Sequence, residues 1–233
     1  MRALVLWDVD GTLVDVDGVG SEAFDLAFEA VLGRAPDAPL GRMIAMGGRT
    51  DPDIAIEALV LHGVLDGERH LPAFETALTE QLAASAELLR ERGRALPGAA
   101  AALAALATEA GVVQSVLTGN LEPNALLKLA AFGLDGWLDL RVGGYGSDHA
   151  HRPALVDVAR RKAAARYGHG FTPETTVLVG DTPLDVAAGR LGGARVVAVA
   201  TGRHRPAELA EAGADTVLDD LRDTGRVVEA ILG

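Results

Sequence analysis

Two carboxylates stand two residues apart at Asp8 and Asp10, and Gly11 follows them at once. A pair of this kind can act as nucleophile and acid/base partner, or bind a cation, or do all three. What precedes it decides how it is presented. Ala3-Leu4-Val5-Leu6-Trp7 is apolar without alternation. That predicts a strand covered on both faces, the usual state of a parallel sheet. Asp8 then falls at the strand's carboxyl end, where open α/β sheets bind ligands. Asp8-Val9-Asp10-Gly11 also invites comparison with a calcium loop, which needs glycine at its sixth position and glutamate at its twelfth. Here Gly11 is fourth and Val19 twelfth, so that reading is rejected.

Two further β-rich runs end in polar residues. Thr118-Gly119-Asn120 follows Val112–Leu117, and Gly180-Asp181-Thr182-Pro183-Leu184-Asp185 follows Val177–Val179. Taken singly, each of these segments, like Asp-x-Asp-Gly, is as ordinary as a turn. If the three strands are parallel neighbours, all three segments meet at one edge of the sheet. Asp8, Asp10 and Asp181 then converge, and a divalent cation is the simplest offset to their repulsion; hard carboxylate oxygens favour Mg²⁺. A hydroxyl at Thr118 and a backbone amide at Gly119 suit phosphate oxygens. The chain has no Gly-x-x-x-x-Gly-Lys-Ser/Thr loop and no Gly-x-Gly-x-x-Gly after a strand, so nucleotide-driven and dinucleotide chemistry lack support.

The elements that must position these groups follow a plan. Beyond about residue 95, β-rich runs at Val112–Leu117, Leu138–Val142, Thr176–Val179, Arg195–Ala200 and Thr216–Leu218 alternate with helical ones. The helices are expected at Gly98–Ala110, Glu122–Phe132, Pro153–Tyr167, Pro183–Leu191, Pro206–Ala212 and Gly225–Leu232. This alternation predicts an α/β fold with a doubly wound, Rossmann-like parallel sheet. Residues 18–93 are instead helical throughout. Ser21 is the expected N-cap of a helix with its stripe at Phe24, Ala27, Phe28 and Val31, ended by Gly33. A second helix is expected from Thr50-Asp51-Pro52, and a long third one, carrying Leu71, Phe74, Leu78, Leu82, Ser85 and Leu89, should stop at Gly93. Core packing is the plain account of all three stripes. The expected division is a catalytic core of residues 1–17 and 94–233, with an all-helical insertion, 18–93, placed as a lid.

Composition bounds the rest. Among 233 residues, 49% are hydrophobic but only 4% aromatic, so Ala, Leu and Val must fill the core. A net charge of −12 leaves no basic excess to displace phosphate counterions, which argues against nucleic acid as a partner. There is no cysteine, hence no disulfide framework, as suits a reducing compartment. Asp8 and Asp10 interrupt any leader-like apolar run, and no stretch is long enough to span a bilayer without a charge or a break. A soluble, cytoplasmic protein is expected.

In order and context, the motifs resemble the haloacid dehalogenase superfamily, in its phosphoglycolate phosphatase-like and β-phosphoglucomutase-like branch with a helical cap. The resemblance covers nearly the whole chain. Asp8-Val9-Asp10-Gly11-Thr12-Leu13-Val14-Asp15 is its most specific segment, and Val179-Gly180-Asp181-Thr182-Pro183-Leu184-Asp185-Val186 with Ala188-Gly189-Arg190 is nearly as specific. The resemblance implies that Asp8 attacks phosphorus to form an aspartyl-phosphate and that Asp10 protonates the leaving group and later activates water. It implies Mg²⁺ on the Asp8 side chain, the Asp10 carbonyl and Asp181, with Asp185 supporting and Thr118, Gly119 and Asn120 binding phosphate. Where the family expects a lysine before a helix, this chain has Arg152-Pro153. The two lysines, Lys128 and Lys162, fall inside expected helices and are poor substitutes; the other nineteen basic residues are arginines. Arg152 keeps the charge in a bulkier planar fork. His149 and His151 are loop residues, more often solvated than metal-bound. Gly47-Gly48-Arg49-Thr50-Asp51 resembles the family's substrate-facing segment, so Arg49 either grips a remote group of the substrate or serves a salt bridge within the cap. The implied function is Mg²⁺-dependent hydrolysis of a small phosphorylated metabolite by a monomer or homodimer. A sugar-phosphate mutase, a 2-haloacid dehalogenase and a catalytically silent binding protein stand as alternatives.

Overall fold

The computed structural model describes residues 3–233. In chain order its elements are β1 (Ala3–Trp7), β2 (Val14–Asp15), α1 (Val19–Leu32), α2 (Leu40–Met43), α3 (Asp51–Leu61), α4 (Gly67–Ala84), α5 (Ala86–Arg92) and β3 (Arg94–Ala95). They continue with α6 (Ala99–Ala107), β4 (Val112–Val116), α7 (Glu122–Ala131), α8 (Ala154–Tyr167), β5 (Thr176–Gly180), α9 (Pro183–Gly192), β6 (Arg195–Val199), α10 (Pro206–Glu211), β7 (Thr216–Leu218) and α11 (Thr224–Leu232).

Five strands form one parallel sheet in the order β4-β1-β5-β6-β7. β1 is flanked on both sides, and its non-alternating sequence follows from that. Val5 and Trp7 face the layer of α6 and α11, against Leu103, Leu106 and Ile231. Leu4 and Leu6 face the opposite layer, against Leu155, Val156 and Ala159 of α8. The period of two is present, but both faces need apolar residues, so it is invisible in composition. The one polar atom of Trp7 is satisfied: Nε1 donates to Gln114 Oε1 at 3.2 Å, and Gln114 Nε2 donates to the Leu103 carbonyl at 2.9 Å.

Between β2 and β3 the chain is helical, and α1–α5 gather round their own apolar cluster of Phe24, Phe28, Leu59, Phe74, Leu78 and Leu82. The two linkers to this segment pair as a short antiparallel ribbon, Val14 opposite Ala95 and Asp15 opposite Arg94. A cavity of about 690 Å³ lies between the helical segment and the carboxyl edge of the sheet.

Three local expectations are corrected. Leu138–Val142 is not a strand. Asp139 accepts from the Arg141 amide at 3.3 Å, and a 3₁₀ turn forms over Leu140–Val142. A short carboxylate that bonds its own backbone two residues on competes successfully with a sheet ladder. Ser21 does not cap α1; Gly18, at φ 81°, does, and the Ser21 hydroxyl donates to the Gly18 carbonyl at 2.9 Å from inside the helix. The long third helix is interrupted at Ser85, whose hydroxyl bonds the Gln81 carbonyl, leaving α4 and α5 as separate pieces. Thr50 caps α3 as expected, accepting from the Asp53 amide, and Gly33 ends α1 at φ 68°.

Candidate active site

Each polar segment sits at a carboxyl end of the sheet: Asp8 after β1, Thr118 after β4, Asp181 after β5. The parallel pairing of β1 with both neighbours brings them to one floor of the cavity. Ligand oxygens of Asp8, Asp181 and Asp185 lie within 4.8 Å of one another. Room for this crowding comes from missing side chains. A Cβ on Gly11, at φ 84°, would stand 2.6 Å from an Asp181 oxygen, and one on Gly202 would stand 1.8 Å from it. Thr12 Oγ1 donates towards Asp181 Oδ1 at 3.3 Å and lies 3.5 Å from Asp8 Oδ2.

Asp8 and Asp181 are buried, 5% and 4% exposed. Burial pushes both carboxyls up from the ordinary carboxylate range, and the neighbouring Asp185 charge pushes them further. Arg152 opposes this, with Nη2 2.5 Å from Asp8 Oδ1 and 2.5 Å from Asp185 Oδ1. Asp185 is fully buried and already spoken for: Oδ2 accepts from the Thr182 amide at 3.0 Å and its hydroxyl at 2.6 Å, a capping box that starts α9. Asp185 thus anchors Arg152, while Asp8 and Asp181 keep carboxylate oxygens facing the cavity. Two such carboxylates, one of them paired with the Arg152 guanidinium, are a donor set that fits a hard divalent cation.

Thr118 is fully buried, and Oγ1 accepts from the Asn120 amide at 3.2 Å and from Asn120 Nδ2 at 2.8 Å. Asn120 Nδ2 also donates to Asp10 Oδ2 at 2.6 Å. Gly119 is where the helical segment meets the core: its carbonyl accepts from the Asp51 amide at 2.7 Å, and a Cβ there would lie 1.8 Å from the Arg49 carbonyl oxygen. Arg49 lines the cavity, but its guanidinium is held along α3 by Asp53 at 2.7 Å and by Glu57. His149 and His151 lie on an exposed loop away from the cavity lining; the His151 amide donates to His149 Nδ1 at 2.8 Å.

Two groups named in the sequence have no place in the expected site: Lys128, set aside for lying in a helix, and Asp51, read only as part of a helix start and of the Arg49 segment. Lys128 is on α7, as the helical pattern indicates, yet it is buried and its Nζ reaches Asp10 Oδ2 at 2.7 Å, Asp10 Oδ1 at 2.9 Å and Asn120 Oδ1 at 2.6 Å. Asp51 is buried at the start of α3, where Oδ2 accepts from the Leu121 amide at 2.8 Å, a carboxylate set at the N-terminus of α7. Burial pushes its carboxyl up to about 6, against the pull of Lys128. A signal was available for Lys128: Asn124 and Lys128 are polar residues spaced i, i+4 on a face that also carries Ala125 and Leu129 inward.

The Asp8/Asp10 pair just past the end of β1 is flanked by a second buried carboxylate and a buried guanidinium, an arrangement suited to hydrolysis, and the wider comparisons agree. Residues 5–190 match haloacid dehalogenase-like hydrolase, and the chain belongs to that family. It is 30% identical over 228 residues to a phosphoglycolate phosphatase of Cupriavidus necator, covering 93% of this chain and 89% of that protein. It is 30% identical over 232 residues to a phosphoglycolate phosphatase of Rhodospirillum rubrum, covering 97% and 90%. Among solved structures it is similar to CbbY from Rhodobacter sphaeroides in complex with phosphate, with a TM-score of 0.68, 25% identity and 97% of each chain covered. No helix among the described residues is long and apolar enough to cross a membrane.

Proposed function

We propose that this chain, a phosphoric monoester hydrolase of the haloacid dehalogenase type, hydrolyses a small phosphorylated metabolite through an aspartyl-phosphate on Asp8, with Mg²⁺ as cofactor. The observation that carries the reading is the setting of Asp8: one oxygen pinned by Arg152 at 2.5 Å, the other left towards Asp181 and the cavity. Asp8 attacks phosphorus as the bond to the leaving oxygen breaks, and Asp10 delivers a proton to that oxygen. Water then attacks the phosphorus of the intermediate while Asp10 takes up its proton, and the Asp8 carboxylate is restored. Arg152 offsets negative charge between Asp8 and the incoming phosphoryl oxygens, and Thr118 offers its hydroxyl proton to one of them. The side chains of Asp8 and Asp181 and the carbonyl of Asp10 would hold Mg²⁺, which when bound neutralises charge on the transferring phosphoryl group. The helical segment 18–93 acts as a cap over this chemistry, excluding water and carrying the contacts that select the substrate. Relatives that are phosphoglycolate phosphatases make 2-phosphoglycolate the first compound to try.

The experiment is a panel of phosphomonoesters with Mg²⁺ and with EDTA. Release of phosphate that stops with EDTA and returns with Mg²⁺ is expected. Metal-independent release of halide from 2-haloacids would replace this reading with a dehalogenase.

Stability should carry the same signature. The raised carboxyls of Asp8 and Asp181 cost nothing at low pH, where folded and unfolded chains are both protonated. Above about pH 4 the unfolded carboxyls ionise freely and the folded ones do not, so the metal-free protein loses stability as pH rises to neutrality and beyond. A cation that pairs with the ionised forms reverses this loss. Mg²⁺ is therefore expected to raise Tm more at about pH 8 than at about pH 5, measured by scanning calorimetry. An equal shift at both would mean that the ion binds elsewhere.

A further inference from the structure

We infer that Lys128 is a positioning residue for the second half of the reaction, holding the Asp10 carboxylate where it takes the proton of the water that attacks the aspartyl-phosphate. The inference rests on the reading of Asp10 as acid/base and goes beyond it.

The contacts of Lys128 are complete and all point one way. An ammonium has three donors, and three acceptors lie at 2.6, 2.7 and 2.9 Å: Asn120 Oδ1 and both oxygens of Asp10. Asn120 closes the figure, donating to Asp10 Oδ2 at 2.6 Å and to Thr118 Oγ1 at 2.8 Å. The Asp10 carboxylate is thus held on both oxygens by groups from α7 and from the loop before it. A carboxylate on the Asp8–Gly11 turn would otherwise be free to rotate into the cavity.

Packing gives no reason for a lysine here. Its side chain is 6% exposed, on a face that also buries Ala125 and Leu129. Replacing one partner of a buried pair is costly when it leaves the other charge buried and unpaired. Asp10, at 38% exposed, remains in contact with water and does not need the pair to stay folded. The choice of lysine in a chain with nineteen arginines fits the same account. A compact ammonium with three rotatable donors on one atom meets both oxygens of Asp10 and Asn120 Oδ1 together, a convergence that a flat guanidinium fork does not reproduce. Lys128 also faces the helical segment, with Nζ 3.8 Å from where a Cβ on Gly20 would stand. It is therefore covered once that segment lies over the core.

In the step concerned, the water oxygen forms a bond to phosphorus, the bond from Asp8 to phosphorus breaks, and the water proton passes to Asp10. Lys128 keeps its own protons throughout; its part is orientation.

The test uses p-nitrophenyl phosphate with saturating Mg²⁺. Its leaving group departs without a proton, so formation of the phosphoenzyme does not depend on Asp10 and its hydrolysis does. Lys128→Met is expected to lower kcat about a hundredfold, within the range for loss of general acid–base assistance. It is also expected to show a rapid burst approaching one p-nitrophenolate per site and to accumulate phosphoenzyme. Lys128→Arg should restore turnover in part. A folded Lys128→Met with kcat within about twofold of the parent, or slowed with no burst, would overturn the assignment. Should Lys128→Met fail to fold, Lys128→Gln is read by the same burst. Asp10→Asn separates the two levels. If it shows the burst and the Lys128 variants do not, only Lys128 is misassigned; if it too leaves phosphoenzyme hydrolysis unchanged, the reading of Asp10 fails and this inference falls with it.

Discussion

Asp8→Asn is expected to reduce kcat by about 10⁴-fold or more while leaving the protein folded, because loss of a covalent nucleophile has no alternative route through the same site. The substitution is nearly isosteric, and it removes a charge that burial and the Asp185 carboxylate already disfavour. Arg152 retains Asp185 as a partner at 2.5 Å, so the buried guanidinium is not stranded. Circular dichroism and Tm should therefore resemble the parent, and loss of turnover can be read as chemistry. Mass spectrometry after a quench should find phosphate on the parent chain at Asp8 and none on the variant. Retention of most phosphatase activity in Asp8→Asn would end the proposed mechanism.

Arg152 should give the second-largest effect, on two quantities. Its guanidinium is 7% exposed and bridges two buried carboxylates. Arg152→Ala removes the fixed positive charge facing Asp8, and by analogy with deletion of one preorganised donor it should cost about 2–4 kcal/mol of transition-state stabilisation. It also leaves Asp185, fully buried, without its cationic partner. Breaking a buried pair in this way typically costs about 3–5 kcal/mol of stability, and Tm should fall accordingly. Arg152→Lys should recover part of both, since charge is kept while the fork that meets two carboxylates at once is lost. Comparing kcat/KM at saturating Mg²⁺, below the melting range of each variant, separates the two effects. An Arg152→Ala enzyme as active as the parent would reduce Arg152 to a structural anchor for α9.

Much of this protein is legible in its sequence because its decisive features are local. An apolar run that ends in Asp-x-Asp-Gly states both a buried strand and what stands at its end. Thr182-Pro183-Leu184-Asp185 spells out a helix start whose own side chains form the capping box. Gly33 and Thr50 mark helix ends through φ preference and hydroxyl geometry that act within a few residues. Local chemistry also misled where two local preferences compete. Leu138–Val142 has the composition of a strand, but the Asp139 side chain bonds its own backbone and turns the chain. The ribbon of Val14–Asp15 with Arg94–Ala95 was unreadable, since two-residue strands carry no periodicity and their pairing spans the whole helical segment.

The partners of the charged groups were decided only by tertiary structure. Sequence order placed Arg152 ahead of a helix; the strand order β4-β1-β5 put it between Asp8 and Asp185. Arg49 looked equally fit for substrate and for salt bridge, and the α3 register tied it to Asp53 and Glu57. Lys128, set aside for lying within a helix, reaches Asp10 because α7 follows directly from the loop after β4 and turns that face towards the end of β1. The reason is physical. Which residue types stand at a strand's end follows from local backbone preference. Which charges meet depends on side chains converging from segments 118 and 144 residues apart, at distances that only the packed sheet and its helices set.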